Sequence, residues 1–259
     1  MTEPVVNPQE WFACAGRMAQ VPSVGSKVFY YPQGHAEHVC ALDRAIEGVP
    51  TMICCRVLAV RFHANSVTDE VYAALELVRC DESEVENTNI NAAHVQEGPL
   101  SVRVLTSSDI SDSLSVLDDC VENIFPRINS PYNHGSQVIS AKDIHGTIWW
   151  FQHMQMLNRR VNILSQGWKM YVALKKLVAG DVHVFMKVKD ADPFIGIAKK
   201  VWRYERAAPT TRVMLNATRG DPFVVRYYPR ASSPQFFVDM SVVRKAMRFQ
   251  WQPNMKFQK

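Results

Sequence analysis

The stretch SQVISAKDIHGTIWWFQH, residues 136–153, restricts the fold more than any other. Two runs of β-branched, apolar and aromatic residues flank Asp143–Ile144–His145–Gly146, and a short glycine-closed turn between such runs marks a β-hairpin. A hairpin in mid-chain sets an antiparallel pair on which the neighbours must pack, and those neighbours are also short. KVFYYP (27–32), MICCRVLAVRF (52–62), DEVYAALELV (69–78), SVRVL (101–105), VHVFMKV (182–188) and FIGIAKKVWRY (194–204) read as strands. In DEVYAALELV, Val71, Ala73, Leu75 and Leu77 fall on one face of a strand of period two. Helical stretches are few. PQEWFACAG (8–16) closes on glycine. LDDCVENIF (117–125) has acids in its first turn and Ser115 as its expected N-cap. A third helix is expected over 167–177. The chain reads as mainly β with short helices (α+β), its middle part a small barrel-like unit.

Between these elements, CDESEVENTNINAAHVQEGP (80–99) has few large apolar residues, five acids and a closing Gly-Pro, and reads as a linker. APTTRVMLNATRGDP (208–222) reads as a bridge to two more strands and a short helix in PFVVRYYPRASSPQFFVDMSVVRKAMRFQW (222–251).

The net charge of +4 is unevenly placed: −7 over residues 1–100, +4 over 101–206 and +7 over 207–259. That asymmetry fits a polyanionic partner for part of the surface, and it also fits lysines that only keep the protein soluble. The N-terminus lacks a basic stretch followed by an apolar run, so no secretory signal is read there. No apolar run approaches the ~20 residues of a membrane span, so no membrane partner is expected. The six cysteines, Cys14, Cys40, Cys54, Cys55, Cys80 and Cys120, form no C-x-x-C pair and read as free thiols rather than zinc ligands.

Catalytic patterns are wanting. GHAEH (34–38) holds His35 and His38 three apart, whereas a helical zinc protease needs its histidines four apart, so the segment reads as a structural or surface turn. No nucleophile elbow, phosphate loop or dinucleotide fingerprint occurs, and no enzyme, metal or cofactor is expected. Trp149 and Trp150 are adjacent in a strand and face opposite sides, so at least one belongs to a core rather than to a base-stacking platform. Lys175–Lys176 and Lys199–Lys200 read as solvated faces or as contacts along a phosphate backbone.

Several words then occur in a meaningful series. EWFACAG, VPSVGSKVFYYPQGHAEH and TDEVYAALEL resemble the N-terminal region of the plant auxin response factors. LTSSD, ENIFPRI, AKDIHGTIWWFQH, QGWKMYVALKKLVAGDVHVFM and FIGIAKK follow in the order of that family's B3 DNA-binding domain, and PFVVRYYPRASSPQFFV resembles the segment after it. KVFYYPQGHAEH and IFPRI are most similar to the family's repressor-type branch. The resemblance implies a seven-stranded B3 pseudobarrel at 101–206. It would be inserted in a discontinuous β-rich dimerisation domain made of 8–100 and a short second segment, 207–259. It also implies a nuclear regulator that binds double-stranded DNA at TGTC-type auxin-responsive elements. Such a regulator would act as a homodimer or as a heterodimer with other auxin response factors.

The departures from the family fall where bases would be read. One family DNA loop runs in outline F-R-H-I-[FY]-R-G-x-P-[KR]-R-H-L-L-T-T-G-W. Laid without gaps on FQHMQMLNRRVNILSQGW (151–168), its first loop arginine becomes Met156, its glycine Leu157, its proline Arg159 and its second base-reading arginine Val161. Arg160 keeps a basic position and Ser165 a hydroxyl. The other loop, glycine-rich in the family, is SDISDSLSVLD here, without glycine and with Asp112 and Asp118. Methionine and valine cannot make the paired hydrogen bonds by which arginine selects guanine. Two expectations result. Either Arg159, Arg160, Asn162, Ser165 and Gln166 still supply DNA contacts, or the chain is a DNA-binding-deficient partner that dimerises with full-length relatives and lowers their affinity for DNA.

Overall fold

The structure, a computed structural model, describes residues 3–16, 18–38, 48–83, 98–127, 135–156, 161–199, 211–229 and 235–248. In its first part, helix α1 (Pro8–Ala15) precedes strand β1 (Lys27–Tyr30), helix α2 (Pro32–His38) and strands β2 (Ile53–Ala64) and β3 (Val71–Arg79). The middle holds β4 (Leu100–Val104), α3 (Ser107–Ser111), β5 (Leu114–Val116), α4 (Asp118–Asn123), β6 (Ser136–Asp143), β7 (Ile148–Met156), β8 (Val161–Leu164), α5 (Trp168–Leu174), β9 (Val182–Met186) and β10 (Phe194–Ala198). The last part adds α6 (Thr211–Arg219), β11 (Phe223–Tyr227), β12 (Phe237–Asp239) and α7 (Met240–Arg248).

These strands form two sheets. The first has the order β11-β3-β2-β1-β12 and draws on both flanks of the chain. The second has seven strands in the order β4-β9-β10-β6-β7-β8-β5, all from the middle. Its pairs are antiparallel except β10 with β6, where Phe194 lies beside Lys142.

Each sheet buries its own apolar face, as the alternation predicts. One core gathers Trp11, Tyr30, Leu75, Leu77, Phe236 and Phe237 around the five-stranded sheet, and Val71 and Ala73 join it from the face read in the sequence. The other gathers Leu105, Phe151, Trp168, Tyr171 and Ile195 inside the seven-stranded sheet. Phe194, Val184 and Met186 of the second sheet belong to the first core, so the two sheets share a packed junction. There α1 lies on β10, and a Cβ on Gly196 would stand 2.6 Å from the Cys14 sulfur, so this close approach needs glycine.

Ion pairs close the same junction. Lys175, the C-cap of α5, lies 2.8 Å from both Asp69, in the β2–β3 turn, and Asp143, the last residue of β6. His145 Nε2 also lies 2.9 Å from Asp69, and Lys142 pairs with Glu10 at 3.0 Å. Burial alone would push the Asp69 carboxyl up, but His145 and Lys175 outweigh it and hold it below its ordinary value. Burial would likewise lower the Lys175 pKa, but the two carboxylates outweigh it and raise it.

Several expectations need correction. The bridge at 208–222 contains helix α6, because Val213, Met214 and Ala217 recur at helical spacing and turn inward, with Gly220 just past its end. GHAEH is not a turn: it lies in α2, which Pro32 opens, and His35 and His38 are buried. His35 stacks on Phe236 and takes a hydrogen-bond partner in the Tyr30 hydroxyl at 2.8 Å, while His38 Nε2 accepts from the Tyr228 amide. Ser115 does not cap α4. It sits in β5 opposite Ile163, and Leu117 takes the cap position without a side-chain bond. Lys175 and Lys199 are not solvated faces, since Lys199 Nζ donates to the Lys176 carbonyl at 3.2 Å and pairs with Asp181. The linker at 80–99 lies mostly outside the described residues, as does Lys200.

Candidate nucleic-acid interface

The interface is built outward from the hairpin. Asp143 Oδ1 accepts from the amides of His145 and Thr147, at 3.0 and 2.9 Å, and Oδ2 accepts from the Trp149 indole at 2.9 Å. One carboxylate thus fixes the turn and locks the first inward residue of β7. Strand alternation then sends Trp149, Phe151 and His153 to the core and leaves Trp150 outside, 62% exposed. Of the tryptophan pair, one is core and one is surface.

Strand β7 continues into β8 with Met156 directly opposite Val161, so the two positions aligned with the family's base-reading arginines face each other across the ladder. Residues 157–160, with Arg159 and Arg160, join them and lie outside the described residues. Past β8, Gly167 has φ +89°, and a Cβ there would stand 1.9 Å from the Trp150 carbonyl oxygen. Only glycine lets the chain turn from β8 into α5 this close to β7.

The remaining predicted residues take different roles. Asn162 is buried, its Nδ2 donating to Asp118 Oδ1 at 3.0 Å and its Oδ1 facing His153 Nε2 at 3.2 Å. Burial lowers the His153 pKa, with the Asn162 contact acting against it. A neutral ring with its proton on Nε2 donates to Asn162 and accepts at Nδ1 from Gln137 Nε2, 3.3 Å away. Asn162 is therefore a tie inside the fold rather than a free reading group. Ser165 is half-buried and donates to the Gln152 carbonyl at 3.3 Å. Gln166 is exposed, and among the described residues its backbone carbonyl accepts from the Gln152 amide.

The segment SDISDSLSVLD comes to the same place. Thr106 and Asp109 cap α3 reciprocally, the Thr106 amide donating to Asp109 Oδ2 at 2.9 Å and the Asp109 amide to Thr106 Oγ1 at 3.2 Å. Burial would raise the Asp109 pKa, but Thr106 and Arg103 outweigh it and bring it down. The Asp109 carbonyl accepts from the Trp168 indole at 2.6 Å, and β5 pairs with β8. Asp112 is exposed and pairs with Lys169 at 2.9 Å. The sequence reading passed over Lys169. Its place in the first turn of a helix that follows a loop was the available signal.

Two converging segments on a seven-stranded sheet, with exposed Gln166 and Lys169, can meet a phosphate backbone and offer little for base edges. Among the described residues no group of three or more His, Cys, Asp or Glu side chains is placed to hold a metal, and no helix is long and apolar enough to cross a membrane.

The seven-stranded sheet is that of a B3 module, for the B3 DNA binding domain family matches residues 101–201. Auxin response factor 8 of Oryza sativa subsp. japonica is 36% identical over 301 residues, covering 98% of this chain and 44% of that protein. Auxin response factor 10 of Arabidopsis thaliana is 34% identical over 318 residues, covering 98% of this chain and 46% of that protein. The chain belongs to the auxin response factor family, and it spans less than half the length of these relatives. A chain of the Arabidopsis FUS3-DNA complex aligns with 39% of this chain and 97% of its own, at 19% identity and a TM-score of 0.34.

Proposed function

We propose that this chain is a nuclear, DNA-binding regulator of auxin-responsive transcription whose grip on TGTC-type elements is mainly on the backbone. The B3 match and the relatives support the DNA-binding class. The observation that carries the weakened base reading is the Met156–Val161 pair. Each good arginine–guanine contact gives about 1–3 kcal/mol of discrimination, and neither side chain can make one. In this reading Arg159, Arg160, Ser165 and Gln166 touch DNA and Asn162 positions β8 beneath them. The five-stranded sheet, built from 8–100 and 207–259, is the dimerisation unit, and two copies of the chain would present two modules to an inverted repeat.

A second reading is favoured by Asp112, which stands exposed beside the interface, where it repels phosphate and draws Lys169 to itself. There the chain pairs with full-length relatives and lowers their affinity by contributing a poor reading module.

Fluorescence anisotropy with a duplex carrying an inverted TGTC repeat, against a scrambled duplex at two salt concentrations, tests both. Preference for the repeat that is lost in Arg159→Ala/Arg160→Ala supports the first reading. Weak binding to both duplexes, with no preference for the repeat, supports the second.

A further inference from the structure

Three sulfur atoms from distant parts of the sequence meet at one end of the five-stranded sheet. The Cys80 amide donates to the Cys54 carbonyl at 3.0 Å, which sets the two cysteines opposite each other where the β2–β3 ladder ends. Their sulfurs lie 3.5 Å apart. Cys55, one residue on, points to the other face and is buried in the core. Strand β12 pairs with β1 and delivers Met240, the first residue of α7, whose sulfur lies 3.9 Å from that of Cys54.

We propose that Cys54, Cys80 and Met240 form a binding site for a soft monovalent metal ion, Cu(I). Thiolate and thioether are the donors this ion prefers, and a hard or borderline ion gains less from them. Metal–thiolate bonds run about 2.3 Å, so three sulfurs around one ion in a plane stand about 4.0 Å apart. The Cys54–Cys80 and Cys54–Met240 sulfur separations, 3.5 and 3.9 Å, need little adjustment to reach that. Cys54 and Cys80 are part-exposed, which gives an ion a way in, while Met240 is buried behind them.

Charge fits the same assignment. Two thiolates, one thioether and Cu(I) sum to a single negative charge. Lys27 is buried beside the site, with its ammonium donating to the Asp81 carbonyl at 2.9 Å, and adds positive charge on that side of it. Cu(I) binds as thiolate complexes with no change of oxidation state, so it competes with protons for the sulfurs and binds less tightly as pH falls.

The test is an oxygen-free titration of the reduced full chain with Cu(I) against the chromophoric chelator bathocuproine disulfonate. One equivalent is expected to stay with the protein and with Cys14→Ser and Cys120→Ser. Binding is expected to vanish in Cys54→Ser and Cys80→Ser. In Met240→Leu it is expected to weaken at least about tenfold, the lower end of what losing even an indirect supporting group costs. Protection of Cys54 and Cys80 from iodoacetamide by Cu(I), read by mass spectrometry on the unaltered protein, covers the case of a variant that fails to fold. Complete loss of Cu(I) to the chelator, equal binding by Cys54→Ser, alkylation that ignores Cu(I), or a Cys54–Cys80 disulfide formed in its place would each overturn the site.

Discussion

Asn162 Nδ2 donates to Asp118 Oδ1 at 3.0 Å, and this one contact joins β8 to the start of α4. The other end of the same amide meets His153, so three segments of the interface hang on one side chain. Asn162→Ala should destabilise the fold by about 1–3 kcal/mol, because it leaves the buried His153 N–H without an acceptor. Asn162→Asp should be worse, since it sets a carboxylate against Asp118. Chemical denaturation read by tryptophan fluorescence checks both.

Lys175 holds Asp69 and Asp143 together across the junction of the two sheets. Lys175→Ala would leave two buried carboxylates facing each other, and a cost of roughly 3–5 kcal/mol is expected. Asp69→Asn should cost less, since Asp143 still partners the lysine. The ordering of urea midpoints is the measurement, and equal midpoints for the two variants would contradict the arrangement.

Acid should unfold the protein early. Burial drives His35 and His183 down to about 3 from an ordinary 6.5. The unfolded chain therefore takes up protons that the folded one refuses, and stability is full above pH 6.5 and is lost as pH falls toward 3. The lowered carboxyls of Asp69 and Asp109 add a loss of the same sign as pH falls through their folded values. Denaturation midpoints across that range should fall steadily, and His35→Phe should flatten part of the slope.

Base reading should be recoverable. Met156→Arg/Val161→Arg places two guanidinium groups at facing positions of the ladder. The affinity ratio for an inverted TGTC repeat over a scrambled duplex should rise, by about 1–3 kcal/mol for each contact regained. An unchanged ratio would locate the impairment in the glycine-free SDISDSLSVLD segment instead.

The hairpin, the alternation in β3 and the glycine closing α1 were legible because each is a local signal that tertiary packing does not override. The short helices were less so. In α6, threonine, arginine and asparagine hide an inward stripe that only burial against the sheet makes worthwhile. In α2, proline and glycine suggest a turn, yet proline suits the first helical position. At the interface, Gln166 is exposed, as a contact residue must be. Asn162 looked the same in one dimension, but strand parity turns it inward. Lys175 read as surface because no local pattern announces two carboxylates brought from 106 and 32 residues away.

The strand order of the first sheet has a consequence for synthesis. Strands β1, β2 and β3 leave the ribosome as an antiparallel meander with both edges bare, while β12 and β11, which cover those edges, come more than 140 residues later. The seven-stranded sheet can close entirely from the intervening chain in that interval. The nascent protein thus carries two unpaired strand edges through much of its translation, the period in which edge-to-edge aggregation or capture by a holding chaperone competes with folding.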